Sequence, residues 1–427
     1  MELRADFGHE RGQDDLIDLQ SALGNLRRVH DQWTQKPFQA SFLTDRKIIL
    51  SDETMGAISS LEIATARCDT EIGLSPYRAS MARLMSRMEG VCAAIANGFS
   101  ADYRVCCYLD YFTTKAKVPP ETVSASVARA TKAPASVIQA SLCGRQIEAI
   151  VKRLLEEECE VSTMTPERII SLNDALCRAI NPTWELGMRT WNYQTPEEGR
   201  PMAYQPPTAP QLPAFLQDIS SFVSDSKLSP TAKAALVFFQ LDAVRMFPHH
   251  FDQLGRIISF YMWKHTDLVR YVIPPISATP AIHPQKHQEK LKPYLYQGET
   301  TDMLLLDDWI YHVARSTHNA VDLEQASYRE LCALLDRWKA AVAQQSAKVS
   351  AALSALMETL VSNPVFSISS LSEDAGIAFS TTGRLVEILE EAGIVRQVTL
   401  GRRNRLYECP EALSFFATMI PELGSTS

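Results

Sequence analysis

The sequence predicts a mainly α-helical fold, with one extended or hairpin excursion in its middle and a helix–turn–helix with a β-wing at its end. Three observations carry that prediction. Apolar residues recur at three- and four-residue spacing through most of the chain. Six prolines fall between Trp191 and Pro213, too many for a helix. After Ser362-Asn363-Pro364 the pattern shortens into strand, helix, Gly-containing turn, helix and hairpin.

The helical periodicity is clearest in Glu53–Thr70, Ala79–Asn97, Gln139–Glu158, Pro166–Ile180 and Pro230–Arg245. Ser51-Asp52, the stretch from Ser162 to Thr165, and Ser229 stand where N-caps belong, because their side-chain oxygens can accept from first-turn amides. Trp191–Pro213 interleaves aromatics with proline and predicts an extended surface excursion or hairpin. Val272-Ile273-Pro274-Pro275-Ile276 forms a turn after the helix around Phe260. Asp322 to about Leu360 reads as one long connecting helix. Beyond it, Val365–Ile368 predicts a strand, Leu371–Ala375 a helix and Gly376-Ile377 a turn. Ser380–Ala392 is a second helix ended by Gly393, and Val395–Leu400 with Arg405–Glu408 is a hairpin. That order is the order of a winged helix-turn-helix.

At 427 residues the chain has room for two or three domains. Fifty acidic against 42 basic residues give a net charge of −8, which argues against a protein built throughout to coat nucleic acid and leaves room for a local basic patch. The opening stretch MELRADFGHERGQDD has no apolar core, and no apolar run reaches membrane-spanning length. The expectation is a cytoplasmic protein with no membrane partner. Nine cysteines, irregularly spaced and with no Cys-x-x-Cys pair, predict reduced and mostly buried thiols. His283 and His287 stand i, i+4, a spacing that can share a metal. Pro284 between them and the lack of nearby cysteines or acid pairs favour a solvated loop or helix start, with no metal site expected.

The segment Gln240-Leu-Asp-Ala-Val-Arg245-Met-Phe247-Pro-His249-His250-Phe-Asp252-Gln253-Leu-Gly255-Arg256-Ile-Ile258 holds the most suggestive motif. Upstream stands Ser86-Arg87-Met88-Glu89-Gly90, with Met85 before it. In element order and in these motifs, roughly residues 40 to 410 resemble the Fic (Fido) family, in its form with an N-terminal helical region and a C-terminal winged helix. The resemblance implies a Fic-type helical core, a small β-hairpin flap, and AMP transfer from ATP to a hydroxyl of a target protein. The family signature is His-Pro-Phe-x-Asp/Glu-Gly-Asn-Gly-Arg-x-x-Arg. Its His is a general base, its acid holds Mg²⁺, and its Gly-Asn-Gly backbone and arginines cradle phosphate.

In an ungapped register the base becomes Arg245 and the metal-binding acid becomes His249. Gly-Asn-Gly becomes His250-Phe251-Asp252, and the first motif arginine becomes Gln253. Phe247 and Arg256 keep their roles, and Gly255 keeps its place in the closing Gly-Arg. A guanidinium cannot accept a proton at working pH, and Asp252 sets a negative charge where a triphosphate would lie. This register predicts a pseudoenzyme with no cofactor; ATP and magnesium enter only if activity is retained. A second register pairs His249 and Phe251 with the family's His-x-Phe. It keeps His249 as a base at the cost of deletions in the phosphate loop, and implies a divergent adenylyltransferase.

Glu89 resembles the glutamate of the family's inhibitory helix, which pairs with the last motif arginine, so the resemblance places it opposite Arg256. Gly187-Met188-Arg189-Thr190 resembles the approach to the flap. Tyr204 and Gln205 resemble flap residues that dock a target by strand addition. In the winged helix, Ser380 and Arg384 at the start of the second helix and Arg402, Arg403 and Arg405 in the wing are candidate DNA contacts. Residues 351–427 nevertheless hold five arginines and nine acids. DNA, a protein target at the flap and a homodimer are the partners expected. The divisions expected are a helical region at 1–110, the core at 111–345 and the winged helix at 346–427.

Overall fold

In the computed structural model the described residues are 40–116, 118–156, 164–180, 183–193, 206–249, 252–291, 299–345, 349–399 and 405–424. Helix α1 (Asp52–Gly73) begins where expected, with the Ser51 hydroxyl accepting from Thr54 N. Next comes α2 (Arg78–Ala96). Every residue of α2 from Leu84 to Ala94 is buried, so this stretch of the helix has no solvent face. It is the element around which the others pack. Helix α3 (Tyr103–Asp110) runs into a π-helical turn (Tyr111–Lys115), followed by α4 (Pro120–Thr131), α5 (Ala135–Glu156) and α6 (Pro166–Ile180).

Helix α2 crosses α5 at backbone contact. A Cβ on Gly90 would lie 2.1 Å from the Gly144 carbonyl oxygen, and one on Gly144 would lie 3.0 Å from that of Gly90. Only glycine admits so close a crossing. Next follow α7 (Leu212–Asp225), α8 (Pro230–Val244), α9 (Asp252–His265), and the short α10 (Ala278–Ile282) and α11 (Pro284–Lys290). Asp69 on α1 fixes the approach to the Pro274-Pro275 turn by accepting from the backbone amides of Arg270, Tyr271 and Val272.

The long connecting helix differs from its expected bounds. Helix α12 runs Glu299–Gln344, 46 residues, or on the order of 70 Å. It therefore starts earlier than Asp322 and stops before Leu360. A separate helix α13 (Ala351–Ser362) begins at Ser350, whose side chain accepts from Leu353 N, a cap that ends the continuity. Helix α12 packs along α1 and buries Trp309, whose indole donates to the Ala235 carbonyl at 2.8 Å.

At the C-terminus stand β1 (Val365–Phe366), α14 (Ile368–Ala375), α15 (Phe379–Glu391), β2 (Arg396–Gln397), β3 (Tyr407–Glu408) and α16 (Pro410–Met419). The sheet order is β1-β3-β2, antiparallel throughout, with Val365 and Arg396 both opposite Glu408. Gly376 caps α14 at φ 64° and Gly393 follows α15 at φ 72°, both conformations that favour glycine.

This C-terminal unit is tied to the helices before it. The buried Glu408 carboxylate accepts from Arg104 at 3.0 Å, from the Tyr108 hydroxyl at 2.6 Å and from Arg396 Nε at 2.7 Å. Tyr103 stacks on Phe416 with ring centroids 5.4 Å apart. Lys115 pairs with Asp374. No helix among the described residues is long and apolar enough to cross a membrane, and of the eight described cysteines all but Cys332 are buried thiols.

Candidate functional site

The site is the turn between α8 and α9, together with the buried face of α2. Helix α8 opens with Ser229 accepting from Ala232 N, and it is apolar and buried along most of its length. It ends at Arg245, which takes the left-handed conformation at φ 46°, ψ 53°, with its amide donating to the Leu241 carbonyl at 3.1 Å. A non-glycine residue there costs roughly 1–2 kcal/mol, so the surrounding contacts must hold it in place.

Arg189 supplies them. Its Nε donates to the Arg245 carbonyl at 2.8 Å and its amide to the Met246 carbonyl at 2.9 Å. Its guanidinium also donates to the carbonyls of Trp191, at 2.7 Å, and Pro207. One buried side chain thus joins the motif turn to both ends of the Pro-rich excursion. The Arg245 guanidinium lies 5.7 Å from the Tyr193 ring centroid, and Arg245 is 5% exposed. The flap candidates Tyr204 and Gln205 lie outside the described residues, as do His250 and Phe251 of the motif and the DNA candidates Arg402 and Arg403.

Further along the turn, Phe247 is buried. His249 is half-buried and stacks on Trp184, with centroids 4.2 Å apart and planes at 15°. Helix α9 then starts at Asp252. Gln253 is buried and donates to the Ala93 carbonyl at 3.0 Å, which anchors the start of α9 to the end of α2. At Gly255 a Cβ would lie 2.6 Å from the Phe238 ring, so glycine there permits α8 and α9 to close on each other. Arg256 is buried with its guanidinium carbon 5.5 Å from the Phe238 ring centroid. It lines a cavity of about 40 Å³ with Phe238, Ser259, His287, Trp309 and Ser316, room for about one water.

Two expectations change here. Glu89 stays buried and on the side of the motif helix, but its carboxylate hydrogen-bonds elsewhere than to Arg256. Oε2 accepts from Ser277 N at 2.9 Å and Oε1 from Ser277 Oγ at 2.6 Å. Arg256 acts on it only through space. His287 is not solvated. Helix α11 turns it inward, against the rings of Phe238, Trp309 and His312. Burial, then the positive charge of Arg256, pushes its pKa well below the ordinary histidine value, so the ring is neutral.

Burial pushes the Glu89 carboxyl up to about 7, against the opposing effects of the Ser277 hydrogen bonds and the Arg256 charge. The folded protein therefore holds a proton that the unfolded chain releases near pH 4.5. The Glu89 contribution to stability is greatest at low pH and declines as pH rises towards 7. Between pH 5 and pH 8 this amounts to roughly 2–3 kcal/mol. Urea unfolding of wild type and Glu89→Gln at both pH values checks it. The wild type should lose that much more than the variant, and parallel losses would show that Glu89 is ionised in the fold throughout.

The DNA candidates Ser380, Arg384 and Arg405 are all exposed. Ser380 and Arg384 lie on α15, and Arg405 precedes β3. Sequence reasoning missed Ser277, the partner of Glu89, and the joining role of Arg189. The Gly187-to-Thr190 motif pointed to the second only by position.

The fold and site define a helical protein in which a central helix, buried from Leu84 to Ala94, meets a helix–turn–helix motif. No protein-family model matches the chain, and no curated protein matches it in sequence. Among solved structures it is similar to a Fic family protein from Desulfovibrio desulfuricans G20, with a TM-score of 0.46 and 12% identity over 86% of this chain and 98% of that one. It is also similar to Fic-1 from C. elegans, with a TM-score of 0.42 and 14% identity over 63% of this chain and 72% of that one.

Proposed function

We propose that this chain is a Fic-type pseudoenzyme, a binding or regulatory protein that has lost nucleotidyl transfer. The observation that carries the reading is Arg245. It stands where the signature would put its proton acceptor, it is buried, and Arg189 clamps its backbone in a left-handed turn. A guanidinium there stays protonated, and losing a positioned base costs about 10²–10⁴ in rate. The neighbouring positions support the same reading. His249, at the place of the magnesium-binding acid, spends its ring on Trp184. Gln253, at the place of a phosphate-binding arginine, is neutral and bonded to α2.

In this reading the flap around Tyr204 and Gln205 retains a protein partner, and the winged helix contacts DNA or protein, in a monomer or a homodimer. The test is transfer of label from α-labelled ATP, CTP, GTP or UTP, with Mg²⁺, to the chain itself or to lysate proteins. No label is expected. Label that disappears in His249→Ala would replace the pseudoenzyme with a divergent adenylyltransferase that uses His249 as its base.

A further inference from the structure

A groove of about 1230 Å³ opens between the C-terminal unit and the end of α4. One wall carries Tyr111 and Phe112 of the π-helical turn, with Arg129 and Lys132. The other carries Phe379, Val398 and Arg405. The three cations are exposed, and no carboxylate lines the groove among the described residues. In a chain of net charge −8 this is a local reversal of sign. Phe379 is 61% exposed, in the first turn of α15, where burial of a large ring would be expected to stabilise the fold. The N-cap of that helix, Ala378, makes no side-chain hydrogen bond, so the first-turn amides keep capacity to donate to an incoming acceptor.

We propose that this groove docks an acidic segment of a partner protein. The segment would present carboxylates to Arg129, Lys132 and Arg405, and aromatic or long aliphatic side chains to Phe379, Tyr111 and Val398. Charge complementarity names the anion, and the apolar share of the walls names a peptide rather than a polyphosphate. A nucleic-acid backbone needs a continuous track of cations. Here Glu387 and Glu390 of α15 stand near Arg405, so the cations do not continue along that helix as a track would require. A short peptide fits three cations around an apolar floor, with side-chain anchors as in other groove-binding modes. The inference deepens the reading of the C-terminal unit by choosing protein over DNA. It is independent of whether transfer chemistry is lost.

The test pans a library of random short peptides on the full chain, with Arg129→Glu/Lys132→Glu/Arg405→Glu as the counter-target. Thermal melts would first establish that this variant folds, as three exposed sites should allow. Selected peptides are then synthesised and measured by fluorescence anisotropy. Enriched peptides should combine acids with aromatic or long aliphatic residues, and bind at least about tenfold more weakly to the variant and to Phe379→Ser. Three results overturn the proposal: no enrichment, enriched peptides without excess acids, or equal binding to wild type and charge-reversed protein. Fluorescent single-stranded and duplex DNA run in the same assay. If DNA binds, loses affinity in the variant and is not displaced by the peptides, the groove belongs to nucleic acid and the proposal falls.

Discussion

Gly90→Ala is expected to destabilise the protein by at least about 3 kcal/mol, the upper end for overpacking a core. Alanine raises intrinsic helix propensity by up to about 1 kcal/mol over glycine, so a local view predicts stabilisation. The crossing of α2 and α5 decides otherwise. The added methyl would sit 2.1 Å from the Gly144 carbonyl oxygen, 3.0 Å from its carbon and 3.1 Å from the Glu148 amide. All three are backbone atoms, so no rotamer change relieves the clash and two long helices must separate. Gly56→Ala is the control: it lies in the second turn of α1 and its Cβ would meet nothing within 4 Å, so it should gain about 0.5–1 kcal/mol. Urea midpoints at equal m-value measure both. Equal stability in the two variants would mean that the helices do not cross at backbone contact.

Arg87→Met should cost about 3–5 kcal/mol, because it strands buried partners. Arg87 is 2% exposed. Its Nε donates to Glu148 at 3.2 Å, and Nη2 donates to Asp110 at 3.2 Å. Nη1 donates to the Ser362 carbonyl at 3.0 Å and to Cys107 Sγ at 3.3 Å. Asp110 keeps Arg83 and Arg145, so the penalty falls on Glu148 and on the Ser362 carbonyl at the end of α13. A second change, Glu148→Leu, should recover part of the loss in the double variant, since the uncompensated charge goes with it. Additive losses would mean that the two side chains do not interact. Limited proteolysis should show faster cleavage between α12 and the C-terminal unit in Arg87→Met.

Much of the helical framework was legible because its causes are local. Apolar spacing and cap residues located α1, α2, α6 and α8 to within a few residues, and Ser51 and Ser229 form the caps expected of them. Gly376 and Gly393 likewise end the C-terminal helices for a backbone reason. The errors came from contacts between residues distant in sequence. Glu89 meets Ser277, 188 residues away, and nothing near either residue signals the other. His287 reads as polar beside Pro284, yet Phe238 on one helix and Trp309 on another supply the apolar surroundings that bury it. The split between α12 and α13 was visible in principle, since Ser350 precedes an apolar run, but alanines on both sides carry the helical pattern across it. Within the motif, the substitutions could be read directly. The clamp that explains how Arg245 is held required Arg189 to be seen reaching four carbonyls, counting its backbone amide.

Glu408 gives the molecule a fixed gauge. A single carboxylate on the last strand is gripped by Arg104 and Tyr108 from one side and by Arg396 from the other, so the terminal unit cannot swivel on a tether. Anything that engages the terminal unit and the α8–α9 turn together must match one set span and angle between them, and a partner of the wrong shape is refused by geometry before chemistry is consulted.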